Sequence, residues 1–412
     1  MSKPMRHRRV GRLGIATVAG AIAALAVLGG TASSAPRATT ELRLLTLPIA
    51  NALPLDLGVQ KGFFAQQGIT FKKTTLQSGN DVVLAMGNNN GDIAYAGFVP
   101  FMIGSTSGIP LQLLASSEVE GTSAADNWQN ILVKGSSSIR TPRDLAGKTV
   151  AVNALKGVGE IMIRAAFEKL GMSANTARLT AIPFPQMRAA LNNGQVDAVW
   201  TPEPFLSQII SDGGRSVMAP GPVLGRYFPI GGYAAKPSWV SANRGLAQRF
   251  RTAMNRSLVY AQTHPDEIRA LLPAAIRNIR LPIWSPLIDR GKLQQLANYS
   301  RKYDVISRLP NMRQLVPTSI ASGLTLQGTV QGRRVLLRLE GKTVKKLVVG
   351  QYVFVVTDNS RTQNFVLRGP KVNRRTSVTG LGRITWTLNL RKGTYRYWSS
   401  AQPSAKKSFT VG

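Results

Sequence analysis

Few side chains in this sequence are equipped for covalent or metal chemistry. Cysteine is absent, and His7 and His264 are the only histidines. No disulfide, thiolate nucleophile or thiolate metal site can form, and a histidine metal cluster is not expected. No Ser-His-Asp order stands out, so no catalytic residue, metal or cofactor is assigned. What remains is the chemistry of noncovalent capture. Asn51, in the loop Pro48–Pro54, can hydrogen-bond a solute or simply turn the chain. Ser78, Gly79 and Asn80 precede a helical stretch, so their backbone N–H groups can hold a polar or anionic head group. The same residues also suit plain N-capping. Lys156 and Gly157 lie in Ala154–Gly159 (ALKGVG), between a strand and a helix. The glycines there let a ligand approach backbone amides, and Lys156 can pair with an anion or stay solvated. The Gly-Lys-Ser/Thr arrangement of a phosphate loop is missing. Phe98, Trp128 and Trp200 offer rings for stacking, against the alternative of core packing. Glu203, in Thr-Pro-Glu-Pro, can meet a cationic amine, a basic residue of a partner protein, or a partner in a stabilising salt bridge. Asp92 and Asp197 follow turns and are expected to fix them, and His264 marks a helix boundary.

The elements that must position these residues alternate in type. Leu42–Leu47, Ile69–Leu76, Ile93–Ala96 and Leu111–Ser116 read as strands. Between them Leu55–Gln67 has helical period and ends at Gly68, and Asp81–Met86 opens another helix. This alternation predicts an α/β unit with a mostly parallel sheet. A second unit begins near Asn130, with strands at Ile131–Val133, Thr149–Val152 and Leu179–Ile182 and helices at Gly157–Leu170 and Gln186–Leu191. Residues 84–101 (LAMGNNNGDIAYAGFVPF) and 190–205 (ALNNGQVDAVWTPEPF) echo each other: helix end, Asn/Gly turn, Asp, apolar strand, Pro/Phe loop. Two similar halves imply a cleft, and ligands in open α/β sheets bind beyond the carboxyl ends of strands. The loops Gly97–Pro100 and Trp200–Pro204 are expected to face each other there. Tyr227–Ala235 reads as a return strand, and Leu246–Thr263 and Asp289–Tyr303 as helices. Segment 318–412 changes to short β-rich runs separated by Gly, Asn and Asp, which reads as an all-β sandwich.

Charge is uneven along the 412 residues, whose formal total is +33. Residues 1–35 hold five basic side chains and no acid, followed by an apolar stretch from Leu13 to Gly30 and the small residues Ala32 to Ala35. That order is the order of a secretory signal, with cleavage near Ser33 to Ala35; an anchor left in place is the alternative. Export makes nucleic acid an unexpected partner. The absence of cysteine excludes a lipid anchor on that residue. Residues 318–412 carry 17 basic side chains against Glu340 and Asp358, a surplus that favours an anionic cell envelope as partner.

Segment 41–317 resembles the nitrate/sulfonate/taurine-type solute-binding proteins, which include binders of thiamine-precursor pyrimidines. The resemblance rests on Gly58–Gly68 (GVQKGFFAQQG), Gly91–Ala94, Asp144–Val150 (DLAGKTV) and Asp197–Phe205 (DAVWTPEPF). It implies the type II periplasmic-binding fold: two hinged lobes that close on a small organic solute and dock on an ABC permease. The expected organisation is a signal at 1–35, a solute-binding domain at 36–317 (lobe 1 about 41–130 and 226–317, lobe 2 about 131–225), and a β-sandwich at 318–412. That sandwich resembles a cupredoxin-like domain at Gln363–Leu367, Gly369-Pro370, Thr385–Thr387 and Gly393–Tyr397. Gln363, Ser399 and Gln402 stand where the resemblance places His, Cys and His, and no Met follows, so no type-1 copper is implied.

Three functions compete. The first is capture of a sulfonate, nitrate, taurine or pyrimidine-class solute for an importer, in an extracytoplasmic, envelope-associated location. The second is a surface interaction or sensor protein attached through the basic sandwich. The third is an enzyme like the pyrimidine synthases that share the lobe fold. Their histidine and cysteine-rich chemistry has no counterpart among these residues.

Overall fold

The computed structural model describes residues 39–317, 325–339, 342–347 and 350–411. The signal-like segment expected at 1–35 lies outside the described residues. Among the described residues no helix is long and apolar enough to cross a membrane.

Apolar strands and helices alternate from the start: β1 (Thr40–Thr46), α1 (Leu53–Gln60), β2 (Ile69–Thr75), α2 (Gly79–Gly87), β3 (Ile93–Gly97), α3 (Phe98–Thr106) and β4 (Gln112–Ser116). A two-residue strand, β5 (Glu118–Val119), precedes β6 (Gln129–Val133), β7 (Thr149–Val152), α4 (Val158–Lys169), β8 (Arg178–Ala181), α5 (Phe184–Asn192), β9 (Ala198–Pro202), α6 (Phe205–Ser211) and β10 (Arg215–Met218). Then come α7 (Pro220–Leu224), β11 (Gly231–Ala235), α8 (Pro237–Ala242), α9 (Arg244–Thr263), α10 (Pro265–Ala270), β12 (Ile283–Trp284), α11 (Arg290–Lys302) and α12 (Met312–Leu315).

These strands form two five-stranded sheets, ordered β2-β1-β3-β11-β4 and β10-β6-β9-β7-β8. In the first, β2, β1 and β3 are parallel, and β11 enters antiparallel beside β3. In the second, β8, β7 and β9 are parallel, and β6 enters antiparallel beside β9. The sequence echo falls on α2-β3-α3 and α5-β9-α6, equivalent places in the two sheets. Each lobe is thus completed by a strand whose chain has just crossed from the other.

The two crossings hold each other. Segments 117–121 and 227–231 run antiparallel, with Ser117 N–H donating to Gly231 O (3.1 Å), Glu120 N–H to Phe228 O (2.8 Å) and Ile230 N–H to Glu118 O (3.2 Å). On its other edge β5 pairs with β12, Ile283 opposite Val119 and Trp284 opposite Glu118. The hinge is therefore a three-stranded ribbon centred on β5.

Several elements differ from the sequence expectation. The loop expected at Gly97–Pro100 is the start of α3, whose Pro100 sits in the first turn, where its missing N–H has no intrahelical partner to lose. Trp200 lies within β9, and the chain continues through Glu203 into α6. The helix expected at Leu55–Gln67 ends at Gln60, because Gly62 takes a left-handed turn (φ 71°) that sends Phe63 and Phe64 inward. The return strand starts at Gly231, the residues before it being spent on the hinge.

After Pro317 the described chain is β: β13 (Thr325–Gln331), β14 (Arg334–Leu339), β15 (Lys342–Thr343), β16 (Lys346–Leu347), β17 (Gly350–Asp358), β18 (Val366–Gly369), β19 (Val372–Arg375), β20 (Gly382–Leu390), β21 (Gly393–Trp398) and β22 (Lys407–Val411). They form two five-stranded sheets, β15-β14-β13-β17-β20 and β16-β22-β21-β18-β19. Their facing side chains, among them Phe354, Phe365, Tyr395, Tyr397 and Phe409, build a core separate from that of the lobes. Ser399, where the resemblance places a copper-ligating Cys, instead bonds Asn364, accepting its N–H at 3.1 Å. The sandwich touches the hinge through Gln327, which donates to the Tyr227 hydroxyl at 2.7 Å.

Close helix packing gives a test of this core. A methyl group on Gly58 of α1 would lie 1.9 Å from Ser257 Oγ and 2.9 Å from the Phe64 ring, so α1 cannot keep its seat on α9. Gly58→Ala is expected to destabilise the protein by about 1–3 kcal/mol, read as a lower urea midpoint with an unchanged slope.

Candidate functional site

The carboxyl ends of β3 and β9 point at each other across the space between the lobes. A cavity of about 50 Å³ lies there, room for a few water-sized occupants. The first lobe contributes Leu47, Ile49, Asn51, Tyr95 and the α2 start at Gly79 and Asn80; the second contributes Asn153, Gly157, Phe184 and Trp200. From the hinge come Glu118 and Ile230, and from the start of β6 comes Gln129.

The lobes meet around this cavity. Asn80 of lobe 1 donates its Nδ2 to Leu155 O of lobe 2 at 3.1 Å. A methyl group on Gly97 would come within 2.3 Å of Val158 Cγ2 on the opposite side. Gly159 gives Trp200 its place in the same way: an added Cβ would lie 2.5 Å from the indole. Further out, Lys302 at the end of α11 and Tyr303 just after it both reach Glu168 of α4, at 2.6 and 2.8 Å.

Asn51, Gly79, Asn80, Gly157 and Trp200, singled out in the sequence, all stand on the cavity wall. Four others stand elsewhere. The Ser78 hydroxyl caps α2, accepting from Asp81 N–H at 3.2 Å and donating to the Asp81 carboxylate at 2.7 Å. Phe98 is fully buried in the lobe 1 core, beside Gly232. Lys156 is exposed in a left-handed turn (φ 55°), with its backbone N–H on Glu160 Oε2 at 2.7 Å. Glu203 is fully buried behind the wall, accepting from Ser207 N–H (3.1 Å), Ser207 O–H (2.7 Å) and Arg280 N–H (2.9 Å). Its backbone oxygen also accepts from Ala50 N–H at 3.0 Å, so Glu203 ties lobe 2 to the Asn51 loop. Trp128 is structural too, donating its Nε1 to Val119 O at 2.9 Å in the hinge.

Sequence reasoning missed Glu118. It is 1% exposed, and its Oε1 accepts from the Tyr95 hydroxyl at 2.9 Å. Among the described residues its Oε2 has no hydrogen-bond partner, nor do Asn51 Oδ1, Asn80 Oδ1 and Trp200 Nε1 around the same cavity. The available signal was Ser-Ser-Glu-Val-Glu directly after an apolar strand, two acids at strand spacing where that strand ends. Burial pushes the Glu118 carboxyl up, partly offset by the Ser117 hydroxyl and the Asn51 amide. Glu120, on the same ribbon, is pushed up to about 8 by burial and carries a hydrogen bond from the Gln129 side chain.

Comparison with known proteins agrees with this architecture. The model of the family described as "NMT1/THI5 like" matches residues 50–268. The chain belongs to that family. The nitrate/nitrite binding protein NrtA of Nostoc sp. is 25% identical over 241 residues, 54% of this chain and 54% of the relative. This chain thus spans about half the length of that relative. A putative aliphatic sulfonates-binding protein of Bacillus subtilis is 26% identical over 234 residues, covering 55% of this chain and 68% of the relative. Among solved structures, the alkanesulfonate-binding protein SsuA of Xanthomonas axonopodis pv. citri bound to MOPS superposes with a TM-score of 0.54 at 20% identity, over 67% of this chain and 96% of that one. The periplasmic binding protein fold is therefore established for this NMT1/THI5-like chain.

The hinge carboxyls set a pH dependence of stability. Unfolded, Glu120 titrates near 4.5; folded, near 8, so the native state holds the proton more tightly between these values. Stability is then greatest below the unfolded value and falls as pH rises through the folded one, by at most about 1.4 kcal/mol per pH unit. Glu120→Gln, which mimics the protonated acid, is expected to flatten that fall in urea titrations run across the interval.

Proposed function

We propose that the chain is the extracytoplasmic solute-binding component of an ABC importer, taking a small organic nitrogen or sulfur compound between its lobes. The observation that carries this is the cavity itself, walled from both lobes and from the hinge they share. Closure on a ligand in such a site is a hinge motion, and the paired crossings supply the hinge. The names of the relatives, one nitrate/nitrite-binding and one a putative sulfonate binder, support a small solute in the same place. The wall offers amides, a carboxyl and rings, a set suited to binding without turnover. Asn51, Gly79, Asn80, Gly157 and Trp200 are the proposed contacts, with Trp200 covering the solute.

A second role is favoured by the sandwich. Arg368 and Arg396 are direct cross-strand neighbours on the outward face of the β18–β21 pair. Like charges so placed repel unless an anion lies over them. Arg368 and Lys406 flank the Trp398 ring at 5.8 and 5.2 Å. We read this face as contact with an anionic envelope polymer, on a sandwich of cupredoxin-like kind that acts without copper.

Two measurements test these readings. Titrating the full chain with nitrate, ethanesulfonate, taurine and small pyrimidines is expected to find one that raises the melting temperature and compacts the particle in small-angle scattering. At about a hundredfold excess over Kd the gain is about 2.7 kcal/mol, and Trp200→Ala should cost at least about tenfold in affinity. Turnover of the bound compound, or no response to any small solute, would sink the transport reading. Separately, a double charge reversal, Arg368→Glu with Arg396→Glu, should weaken salt-sensitive retention on isolated envelopes and leave solute affinity unchanged; equal retention removes the second role.

A further inference from the structure

Glu118 sets the charge of the solute, an inference that rests on the solute-binding reading and narrows it. We propose that this cleft selects compounds carrying a protonated nitrogen, an ammonium or an amidinium, and rejects bare oxyanions.

The cavity wall and the rest of the chain differ in charge. The chain has a formal charge of +33, yet no lysine, arginine or histidine stands among the described residues of the cavity wall. The one carboxyl on that wall is Glu118, whose buried Oε2 has no hydrogen-bond partner among the described residues. Its position is rigid, because β5 is paired on one edge with the returning crossing and on the other with β12. Asn51 and Asn80 add two further unpartnered acceptors. The Asn80 amide has its orientation set by its own bond to Leu155 O. Three unpartnered acceptors on residues of one cavity wall are the complement of an N–H-rich cation.

Donors are present as well, and they define the other end. The Trp200 indole N–H is unpartnered, and the N-terminal ends of α2 and α4 open on the same space at Gly79 and Gly157. Those ends favour negative charge. A zwitterion fits both features, its nitrogen on Glu118 and its anionic group toward the helix starts. An oxyanion alone would meet the Glu118 carboxylate in a low-dielectric site with nothing to balance it.

Proton linkage separates the cases by sign. The titratable groups facing Glu118 are Tyr95 from β3, Tyr233 from β11 and Glu120 along the ribbon. Both tyrosines are pushed well up, first by burial and then by the Glu118 charge, so they stay neutral. A cationic nitrogen draws Glu118 into its carboxylate form and releases the proton to solvent. Its affinity must rise with pH. An oxyanion requires the protonated acid, so its affinity must fall.

The test uses the full chain and matched pairs differing only at the nitrogen: taurine against ethanesulfonate, and acetamidine against acetamide. Calorimetric titrations run from about pH 5.5 to about pH 8. The amine or amidine should bind at least about tenfold more tightly than its partner, with affinity rising with pH. In Glu118→Gln the preference and the pH slope should both disappear. That variant resembles the protonated acid, and if it fails to fold, the wild-type pairs and the sign of the slope still decide. Equal or tighter binding of the partner lacking the charged nitrogen, or affinity that falls with pH, overturns the inference and leaves the solute-binding reading standing. Failure of every small amine and amidine to bind overturns it as well; whether any solute binds is then read from the broader titration above.

Discussion

The structure depends on one constraint: each lobe's sheet is closed by a strand that comes from the other lobe. Strand β6 enters the second sheet antiparallel, and β11 enters the first in the same way. The two crossings that deliver them must run side by side, and they satisfy their backbone groups by pairing with each other. Neither lobe can be complete without the hinge, and the hinge cannot move far without disturbing both sheets. What motion remains is rotation of one lobe against the other about the ribbon, which is the motion a closing cleft needs.

That ribbon also explains where the unusual charges are. Glu118 and Glu120 lie two residues apart on it, both buried and neither in a salt bridge among the described residues. Burying a carboxyl without a cation raises its pKa and makes the ionised form costly. The rest of the molecule runs the other way, with basic side chains covering the surface and above all the sandwich. Cleft and surface are thus of opposite character: the cavity wall carries a carboxyl and no basic side chain, while basic residues are concentrated in the sandwich. The sandwich keeps its own core, so its outward face can vary without altering the cleft.

Glycines complete the site by omission. Gly97 lets Val158 approach from the opposite lobe, and Gly159 lets the Trp200 ring lie over the start of α4. At Gly97 the missing side chain lets the lobes come together, and at Gly159 it lets the indole settle within lobe 2 beside the cavity.

Much of the architecture was legible in the sequence because it follows from short-range physics. Period-two and helical apolar runs, the Gly68 turn and the repeated Asn/Gly–Asp–strand pattern all act within a few residues, and they placed most strands and the two-lobed plan. Ser78 shows where that reading stops: it caps a helix, as its type demands, while the neighbouring Gly79 and Asn80 reach the cavity. Lys156, Phe98 and Glu203 carried suitable chemistry at suitable positions along the chain, yet backbone conformation and burial turn them away from the cavity. Glu118 was passed over because two acids after an apolar strand suit a solvent-facing turn as well as a buried site. Its role is decided by β3, β11 and β12, segments far apart in sequence that fold around it and remove water. Local composition determined which elements form; which atoms face the cavity without partners is a property of their three-dimensional packing alone.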